Sequence, residues 1–273
     1  GEVRMARQLV ATLLTDFGMR DPYVATMKGM MISMVPEVHI VDICHGVLPH
    51  DVLGAAFILA EAAPAFPPGT VHVVAVDPSV EVDRSILAAR FGGHLFVFPD
   101  NGVITFVSAA APLEQMAIVR DKRYFASPEP SSTFQGRDIY APVAAQLLRG
   151  LDMRRLGPPP ETFKLLDLPA VADDEGDLAG QVIYVDRFGN VISNITASDI
   201  RQRWANPDRL HVFCQKVDCG PLRGTYGAVD AGQPVALINS MGLLEIAVNR
   251  GRASLSLKAA VGTKVYVCGK DSQ

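Results

Sequence analysis

The chain has 273 residues, a formal net charge of -4 at pH 7, 49% hydrophobic residues and 20% charged residues. This length allows one large domain or two smaller ones, and the composition is typical of water-soluble globular proteins. The small negative charge argues against nucleic acid as the main ligand, and no apolar run reaches the roughly 18 to 20 residues that span a bilayer.

In the first half of the chain, β-branched apolar runs alternate with segments typical of helices. Strands are predicted at 8–16, 38–43 and 70–77, and helices at 21–34 and 51–63, capped by Asp21 and Asp51. This alternation predicts a parallel sheet covered on both faces, in which ligands bind beyond the carboxyl ends of the strands. Asp16 and Asp77 each end a predicted strand, so both are candidate site residues.

The second half of the chain has a different pattern. A turn leading into a helix is predicted at 99–107, a helix at 136–150 with Asp138 as its cap, and a proline-rich and acidic linker at 151–180. Short strands separated by turns follow, with one helical signal around 198–204. The predicted strands lie in 181–195, 234–240, 243–251, 253–257 and 264–268. This half is predicted to be a small antiparallel barrel or sandwich.

Four cysteines are scattered along the chain without a CxxC pair: Cys44, Cys214, Cys219 and Cys268. This spacing predicts reduced thiols and no structural metal site. Scattered reduced thiols also predict a cytoplasmic protein, and the N-terminus lacks the pattern of a secretory signal.

The polar turns carry candidate binding residues, but each turn also has a purely structural explanation. Turn formation and helix capping account for Asp16 and Asp21 in "TDFGMRD". A salt bridge within a loop accounts for Asp77 with Arg84. A hairpin turn accounts for the polar residues of "YVDRFGN", and a glycine turn accounts for Ser240. The histidines of "HGVLPH", His45 and His50, are expected to be structural rather than metal ligands.

Taken together and in order, these blocks resemble one known family. The set "TDFG", "DICHGVLPHD", "FPPGTVHVVAVDP", "PDNGV", "STFQGRD", "YVDRFGNVISNI" and "NSMGLLEIAVN" is similar to the S-adenosylmethionine hydroxide adenosyltransferases, relatives of the fluorinase and chlorinase. The similarity runs from about Leu13 to Asn249.

The resemblance implies a fold and an assembly. It implies an N-terminal Rossmann-like α/β domain with a mostly parallel sheet, residues 8–165, and a smaller C-terminal antiparallel β-barrel domain, residues 178–273. It also implies a homotrimer, in which each site lies between one subunit's N-terminal domain and its neighbour's C-terminal domain.

The resemblance also implies a reaction and its residues. Members of the family hydrolyse S-adenosylmethionine to adenosine and methionine, without a metal or a dissociable cofactor. Asp77, Arg84 and Gln135 would form the water site, and Asp16 would bind the ribose hydroxyls. At the amino-acid end of the substrate, the resemblance implies contacts from Asp186, Asp21 and Ser240. At adenine it implies contacts from Phe188 and Asn190, helped by the backbone near Val248 and Arg250.

Two departures from the family pattern concern the water site. The family's hydrolases carry a histidine in "STFHGRD", where this chain has Gln135, which cannot take a proton near neutral pH. The family's "DPGVGT" is also changed, because Ser79 and Glu81 replace two glycines and Val82 replaces the threonine.

These observations predict an S-adenosylmethionine hydrolase in which Gln135 is an altered third member of the water site. Two rival hypotheses remain: a protein that binds S-adenosylmethionine or adenosine with little turnover, and a halide-transferring enzyme. The halide hypothesis is disfavoured because Asp77 would repel an anion.

Overall fold

The structure is a computed structural model that describes residues 8–77, 84–174, 176–204 and 210–269. The chain divides into two compact units, and the boundary lies between Leu166 and Asp167. Within the described residues, no helix has the length and apolar character needed to cross a membrane.

The first unit contains a six-stranded sheet with the order β2-β1-β3-β5-β4-β6. Its strands are β1 (Val10–Thr15), β2 (His39–Cys44), β3 (Val71–Ala75), β4 (Ile86–Phe91), β5 (His94–Pro99) and β6 (Leu113–Ile118). The three predicted strands of this half are confirmed as β1, β2 and β3. The pairings among β2, β1, β3 and β5 are parallel, whereas β4 is antiparallel to both β5 and β6. The sheet is therefore mixed.

Helices cover both faces of this sheet. They are α1 (Tyr23–Met34), α2 (Val52–Ala62), α3 (Thr105–Ala110) and α4 (Ala141–Leu148). One buried cluster includes Leu13, Met27 and Val143, and a second includes Leu14, Leu59 and Phe96. The adjacent residues Leu13 and Leu14 of β1 belong to different clusters because successive strand side chains point to opposite faces.

The predicted helix caps had different outcomes. Asp51 caps α2 as predicted, because its carboxylate accepts a hydrogen bond from the backbone N–H of Gly54 at 2.8 Å. Asp21 does not cap α1, since Pro22 occupies the N-cap position and no side-chain bond caps the helix. Asp138 does not cap a helix either, because it lies inside a π-helical turn, Gly136–Tyr140, that leads into α4.

Part of the predicted linker belongs to the first unit. The backbone N–H of Lys164 donates to Asp100 at 2.7 Å, and that of Leu166 donates to Thr105 at 2.8 Å. Phe163 and Leu166 also pack against the core. These contacts tie the chain to the first unit as far as Leu166.

The second unit is an antiparallel sheet with the order β11-β10-β14-β8-β9-β13-β12, and β7 pairs with β8. Its strands are β7 (Ala172–Asp174), β8 (Asp177–Val185), β9 (Val191–Thr196), β10 (Leu210–Cys214), β11 (Val217–Asp218), β12 (Pro234–Ile238), β13 (Leu243–Val248) and β14 (Lys264–Gly269). Across the described strands the order runs as an open path, so the sheet is a curled antiparallel half-barrel, which confirms the predicted antiparallel β-barrel in part.

The described residues of the second unit also form two short α-helices, α5 (Ala197–Arg203) and α6 (Ala253–Ser256). The helical signal near 198–204 is confirmed by α5, which Thr196 and Asp199 cap reciprocally. The predicted strand at 253–257 is wrong, because these residues form α6. The backbone N–H of Ser254 donates to the carbonyl of Gly189 at 2.8 Å, which holds α6 against the turn between β8 and β9.

Candidate active site

A cleft of about 340 Å³ opens in the first unit at the carboxyl ends of β1 and β3. Asp16 follows β1 directly, and Asp77 follows β3 by two residues. The two strands are parallel neighbours, with Thr15 paired to Ala75, so the side chains that follow them meet at one edge of the sheet. Both aspartates line the cleft, as the strand pattern predicts.

Asp77 forms an ion pair with the guanidinium of Arg84, the pair that the resemblance implies. The side chain of Arg84 is 13% exposed and that of Asp77 is 29% exposed. Charges that are largely withdrawn from water interact more strongly, so the carboxylate has a defined position in the cleft. The altered loop with Ser79, Glu81 and Val82 lies outside the described residues.

Gln135 lines the same cleft and is exposed within it. The next residue, Gly136, is buried, and a Cβ there would lie 3.0 Å from the sulfur of Met27 and 3.3 Å from the ring of Phe134. Glycine therefore lets this segment approach α1 closely, which places Gln135 at the cleft.

Asp138 stabilises the segment that carries Gln135. It is buried, it accepts hydrogen bonds from Arg137 Nε at 2.6 Å and from the backbone N–H of Ser131 at 2.8 Å, and its own carbonyl accepts from Ala126. The hydrogen bond from Arg137 lowers the pKa of Asp138; burial opposes this effect and the Ser131 bond adds to it. The charge of Asp138 therefore holds the loop that carries Gln135.

Three aromatic rings form one wall of the cleft. Phe17 lies 5.7 Å from Tyr23 and 6.3 Å from Phe134, and Tyr23 lies 5.1 Å from Phe134 between ring centroids. Tyr140 also lines the cleft; burial raises the pKa of its phenol, although nearby Arg84 acts in the opposite direction, so the hydroxyl stays protonated. No local pattern in the sequence indicates this wall, because Phe134 is far along the chain from Phe17 and Tyr23.

The two histidines of "HGVLPH" have different environments. His45 is buried, and its Nδ1 lies 2.8 Å from the hydroxyl of Thr15, as expected of a structural residue. His50 is exposed and lines the cleft. Its backbone N–H donates to Asp16 Oδ2 at 2.9 Å, and its ring Nδ1 lies 2.9 Å from the backbone carbonyl of Asp77. His50 is therefore a cleft residue that the sequence patterns did not indicate, although it directly precedes Asp51, the cap of α2.

In the second unit, the structure brings three predicted residues together in the turn between β8 and β9. Asp186 accepts hydrogen bonds from the backbone N–H of Asn190 at 2.8 Å and from its side-chain amide at 3.0 Å. Asn190 is buried, whereas the ring of Phe188 is 75% exposed. A large aromatic side chain held so far into solvent is available for contact with a ligand.

The other predicted residues of this unit lie at the two ends of β13. The register pairs Ile246 with Val191 and Leu243 with Thr196, so the turn with Asp186 and Asn190 is near the end of β13 that leads to Val248 and Arg250. Ser240 precedes the opposite end of the strand. In the first unit, Asp21 is exposed and is not one of the residues that line the cleft.

A buried carboxylate that the sequence analysis did not identify lies beside this turn. Glu245 is 4% exposed and accepts a hydrogen bond from the hydroxyl of Tyr226 at 2.8 Å. Burial, Glu245 and Asp186 together raise the pKa of Tyr226 to about 12. The hydroxyl of Tyr226 therefore remains a hydrogen-bond donor at neutral pH. The negative charge of Asp186 contributes to the raised pKa.

No group of three metal-ligating side chains is arranged around a common point in the parts of the chain that the structure describes. The cleft is thus a polar and aromatic site built from carboxylates, one ion pair, an amide and an imidazole. Such a mixture suits a polar organic ligand with a flat ring.

Comparison with known proteins identifies the class of protein that carries these features. The family models for the N-terminal and C-terminal domains of the S-adenosylmethionine hydroxide adenosyltransferases match residues 11–157 and 180–266. Together the matches span more than half of the chain, which therefore belongs to this family.

Individual relatives agree with this assignment. A curated (R)-S-adenosyl-L-methionine hydrolase of Thermus thermophilus is 37% identical over 264 residues, with 92% of this chain and 96% of the relative covered. A fluorinase of Nocardia brasiliensis is 29% identical, with 96% and 98% covered. A crystal structure of a conserved protein from Thermotoga maritima superposes with a TM-score of 0.87 at 33% identity, covering 95% of this chain and 100% of the other.

Proposed function

We propose that this chain hydrolyses S-adenosyl-L-methionine to adenosine and L-methionine by in-line attack of water on ribose C5′. The observation that supports this most directly is the Asp77–Arg84 ion pair in a cleft beside Asp16, in a chain of this family. The name of the Thermus thermophilus relative supports the same substrate and the same reaction.

The chemistry accounts for the types of residue in the cleft. The sulfur of the substrate carries a positive charge and leaves as a neutral thioether, so the leaving group needs no acid. The protein has to align one water with C5′, shield the reaction from bulk solvent and stabilise the positive charge that develops on the attacking oxygen. Asp77, held by Arg84, is a carboxylate suited to orient that water.

Asp16 is suited to the ribose. Within the described residues, Asp16 Oδ2 accepts a hydrogen bond from the His50 N–H, and a carboxylate has acceptor positions for about four donors. Two ribose hydroxyls can therefore bind there. The aromatic wall of Phe17, Tyr23 and Phe134 offers an apolar surface on which a nucleoside can pack.

The second unit would supply the remaining contacts in a homotrimer, with each site between one subunit's first unit and its neighbour's second unit. In this arrangement Asp186, with Asp21 and Ser240, binds the amino-acid end, and Phe188, Asn190 and the backbone near Val248 and Arg250 bind adenine. The exposed ring of Phe188 agrees with a ligand contact made from outside its own unit.

Hydrolysis is favoured over halide transfer, the reaction that the name of the fluorinase indicates. A halide would have to approach C5′ beside the carboxylate of Asp77, and two negative charges at that distance repel each other. Water has no such penalty and can donate a hydrogen bond to the carboxylate.

The test is to incubate the purified protein with S-adenosylmethionine and to follow adenosine and methionine by chromatography. We expect both products in equal amounts and no 5′-halo-nucleoside when chloride or fluoride is added. Asp77→Asn is expected to lower kcat by about 10²- to 10⁴-fold while the affinity for adenosine stays the same. Asp174→Asn, an exposed position on β7, is the matched control.

Three other outcomes would contradict the proposal that the chain is a hydrolase with its water site at Asp77. Binding of S-adenosylmethionine without turnover would replace the proposal with that of a binding protein. A halide-dependent product would replace it with halide transfer. Unchanged turnover in Asp77→Asn would show that the water site lies elsewhere.

A further inference from the structure

The cleft contains an imidazole even though the segment around Gln135 lacks one. His50 is fixed to both carboxylate-bearing residues, through its backbone N–H to Asp16 Oδ2 and through its ring Nδ1 to the carbonyl of Asp77. Gln135 lines the same cleft. An imidazole can accept and release a proton near neutral pH, and a primary amide cannot.

The hydrogen bond to Asp77 determines which ring nitrogen can act as a base. A backbone carbonyl only accepts hydrogen bonds, so Nδ1 carries the hydrogen in the 2.9 Å contact. In the neutral ring, the lone pair then resides on Nε2. The ring is thus held in one tautomer beside the residue that is proposed to orient the attacking water.

The backbone at His50 is also specialised for this position. Its φ of 69° lies in the left-handed region, which few residues other than glycine adopt and in which asparagine, aspartate and histidine are enriched. The carboxylate of Asp16 accepts the His50 N–H in this conformation, so the turn and the ring are fixed together. Among the described residues, the charged residues bonded to His50 are Asp16, through the His50 N–H, and Asp77, through its backbone carbonyl; Arg84 is paired with the Asp77 carboxylate.

We propose that His50 is a further catalytic residue, the proton acceptor for the attacking water. As the water oxygen bonds to C5′, the C5′–S electron pair moves to sulfur and methionine leaves as a neutral thioether. The proton of the attacking water passes to Nε2 of His50 and then to solvent, so the reaction releases one proton. This inference rests on the proposed function and assigns to His50 the proton chemistry that Gln135 cannot perform.

Two substitutions at His50 separate the ring nitrogens. In His50→Asn the amide nitrogen takes the place of Nδ1, so the bond to Asp77 and the left-handed backbone are retained while Nε2 is lost. In His50→Gln the amide nitrogen lies near the place of Nε2, and neither amide can take a proton. We expect both variants to lower kcat by about 10²- to 10⁴-fold and to leave the Kd for adenosine within about threefold.

The decisive measurement is whether a histidine at position 135 restores the turnover that His50→Asn removes. Gln135→His in the His50→Asn background is expected to raise kcat at least about tenfold, because it returns an imidazole to the cleft. The same Gln135→His change in the chain that retains His50 is expected to raise kcat by a smaller factor than in the His50→Asn background, since an acceptor is already present. His39→Asn, at an exposed position on β2, is the matched control and is expected to leave kcat unchanged.

Four outcomes would overturn the inference. Turnover in His50→Asn within threefold of the unsubstituted chain would mean that the ring takes no proton. A loss of turnover that Gln135→His does not restore would mean that His50 only shapes the turn, as would an equal loss of adenosine affinity. An unsubstituted chain without turnover would overturn the proposed function as well, whereas the other three results leave that function intact.

Discussion

The guanidinium of Arg84, two residues before β4, forms an ion pair with the carboxylate of Asp77, two residues after β3. β5 lies between β3 and β4 in the sheet, so the pair bridges strands that are not direct neighbours. Arg84 is the more buried partner of the pair. Removing it takes away the positive charge that fixes the direction of the Asp77 carboxylate.

Arg84→Met is therefore predicted to lower kcat by about 10- to 10³-fold through misplacement of Asp77, with the Kd for adenosine within about threefold. The variant is measured by adenosine release at saturating S-adenosylmethionine and by calorimetric titration with adenosine. Arg201→Met, an exposed position on α5, is the control for loss of an arginine. A parallel loss of affinity would mean that Arg84 also binds the nucleoside.

The carboxylate of Asp138 gives a prediction about stability. The buried carboxylate accepts hydrogen bonds from Arg137 and Ser131, which are partly buried, so Asp138→Asn is predicted to lower the free energy of unfolding by about 1–3 kcal/mol near pH 7. The pKa of Asp138 is lower in the folded protein than in the unfolded chain, so its stabilisation is full above the ordinary value and declines as pH falls through the folded value.

Urea unfolding of the unsubstituted chain and of Asp138→Asn would test this prediction. The difference between them should be constant from about pH 7 to pH 5 and should shrink below about pH 4. Asp152→Asn, which removes a carboxylate from the exposed pair with Arg154, is expected to have a smaller effect because solvent screens that pair. A difference that does not change with pH would mean that the charge of Asp138 contributes nothing.

Local patterns were sufficient to predict the strands that carry the cleft and the cap of α2. The runs that became β1, β2 and β3 are short and β-branched, and Asp51 precedes an apolar helical segment. The hairpin of β4 and β5 was missed although a signal exists, because Gly92 and Gly93, at φ of 53° and 80°, separate two apolar runs.

Other features depend on contacts that no local pattern encodes. His50 joins the cleft through bonds to residues 34 and 27 positions away in the chain. The aromatic wall likewise unites Phe17 and Tyr23 with Phe134. Resemblance could assign roles to Asp16, Asp77 and Arg84, but a histidine outside the family's water site became visible only when the sheet brought these segments together.

His72 gives a prediction about the acid sensitivity of the first unit. It is fully buried between Thr12, whose hydroxyl lies 2.8 Å from Nδ1, and His94, whose Nδ1 lies 3.1 Å from Nε2. Burial lowers the pKa of His72 to about 3, and His94 adds to this effect. The unfolded chain therefore binds more protons than the folded protein below about pH 6.5, and stability is lost as pH falls from there toward 3.

The slope from this one group is at most about 1.4 kcal/mol per pH unit, and it should be measurable by urea unfolding between about pH 7 and pH 5. His72→Asn keeps a polar partner for Thr12 and removes the titrating ring, so the variant should be less stable near pH 7 but should lose stability less steeply. His39→Asn, at an exposed site, should keep the original slope. An unchanged slope in His72→Asn would show that the acid sensitivity arises elsewhere.

Gly189 shapes the turn that carries Phe188 and Asn190. Its φ is +83°, and a Cβ there would lie 2.8 Å from Cβ of Arg252 and 2.9 Å from Oγ of Ser254. Gly189→Ala therefore combines backbone strain with a clash against α6, and we expect it to destabilise the protein by about 2–4 kcal/mol and to weaken adenosine binding.

Gly232→Ala is the matched control, because Gly232 has φ +85° with nothing within 4 Å of the added Cβ. It should cost only about 1–2 kcal/mol of strain and leave adenosine affinity unchanged. Equal losses in urea unfolding would mean that the close packing of α6 against this turn contributes nothing beyond the strain of the glycine conformation.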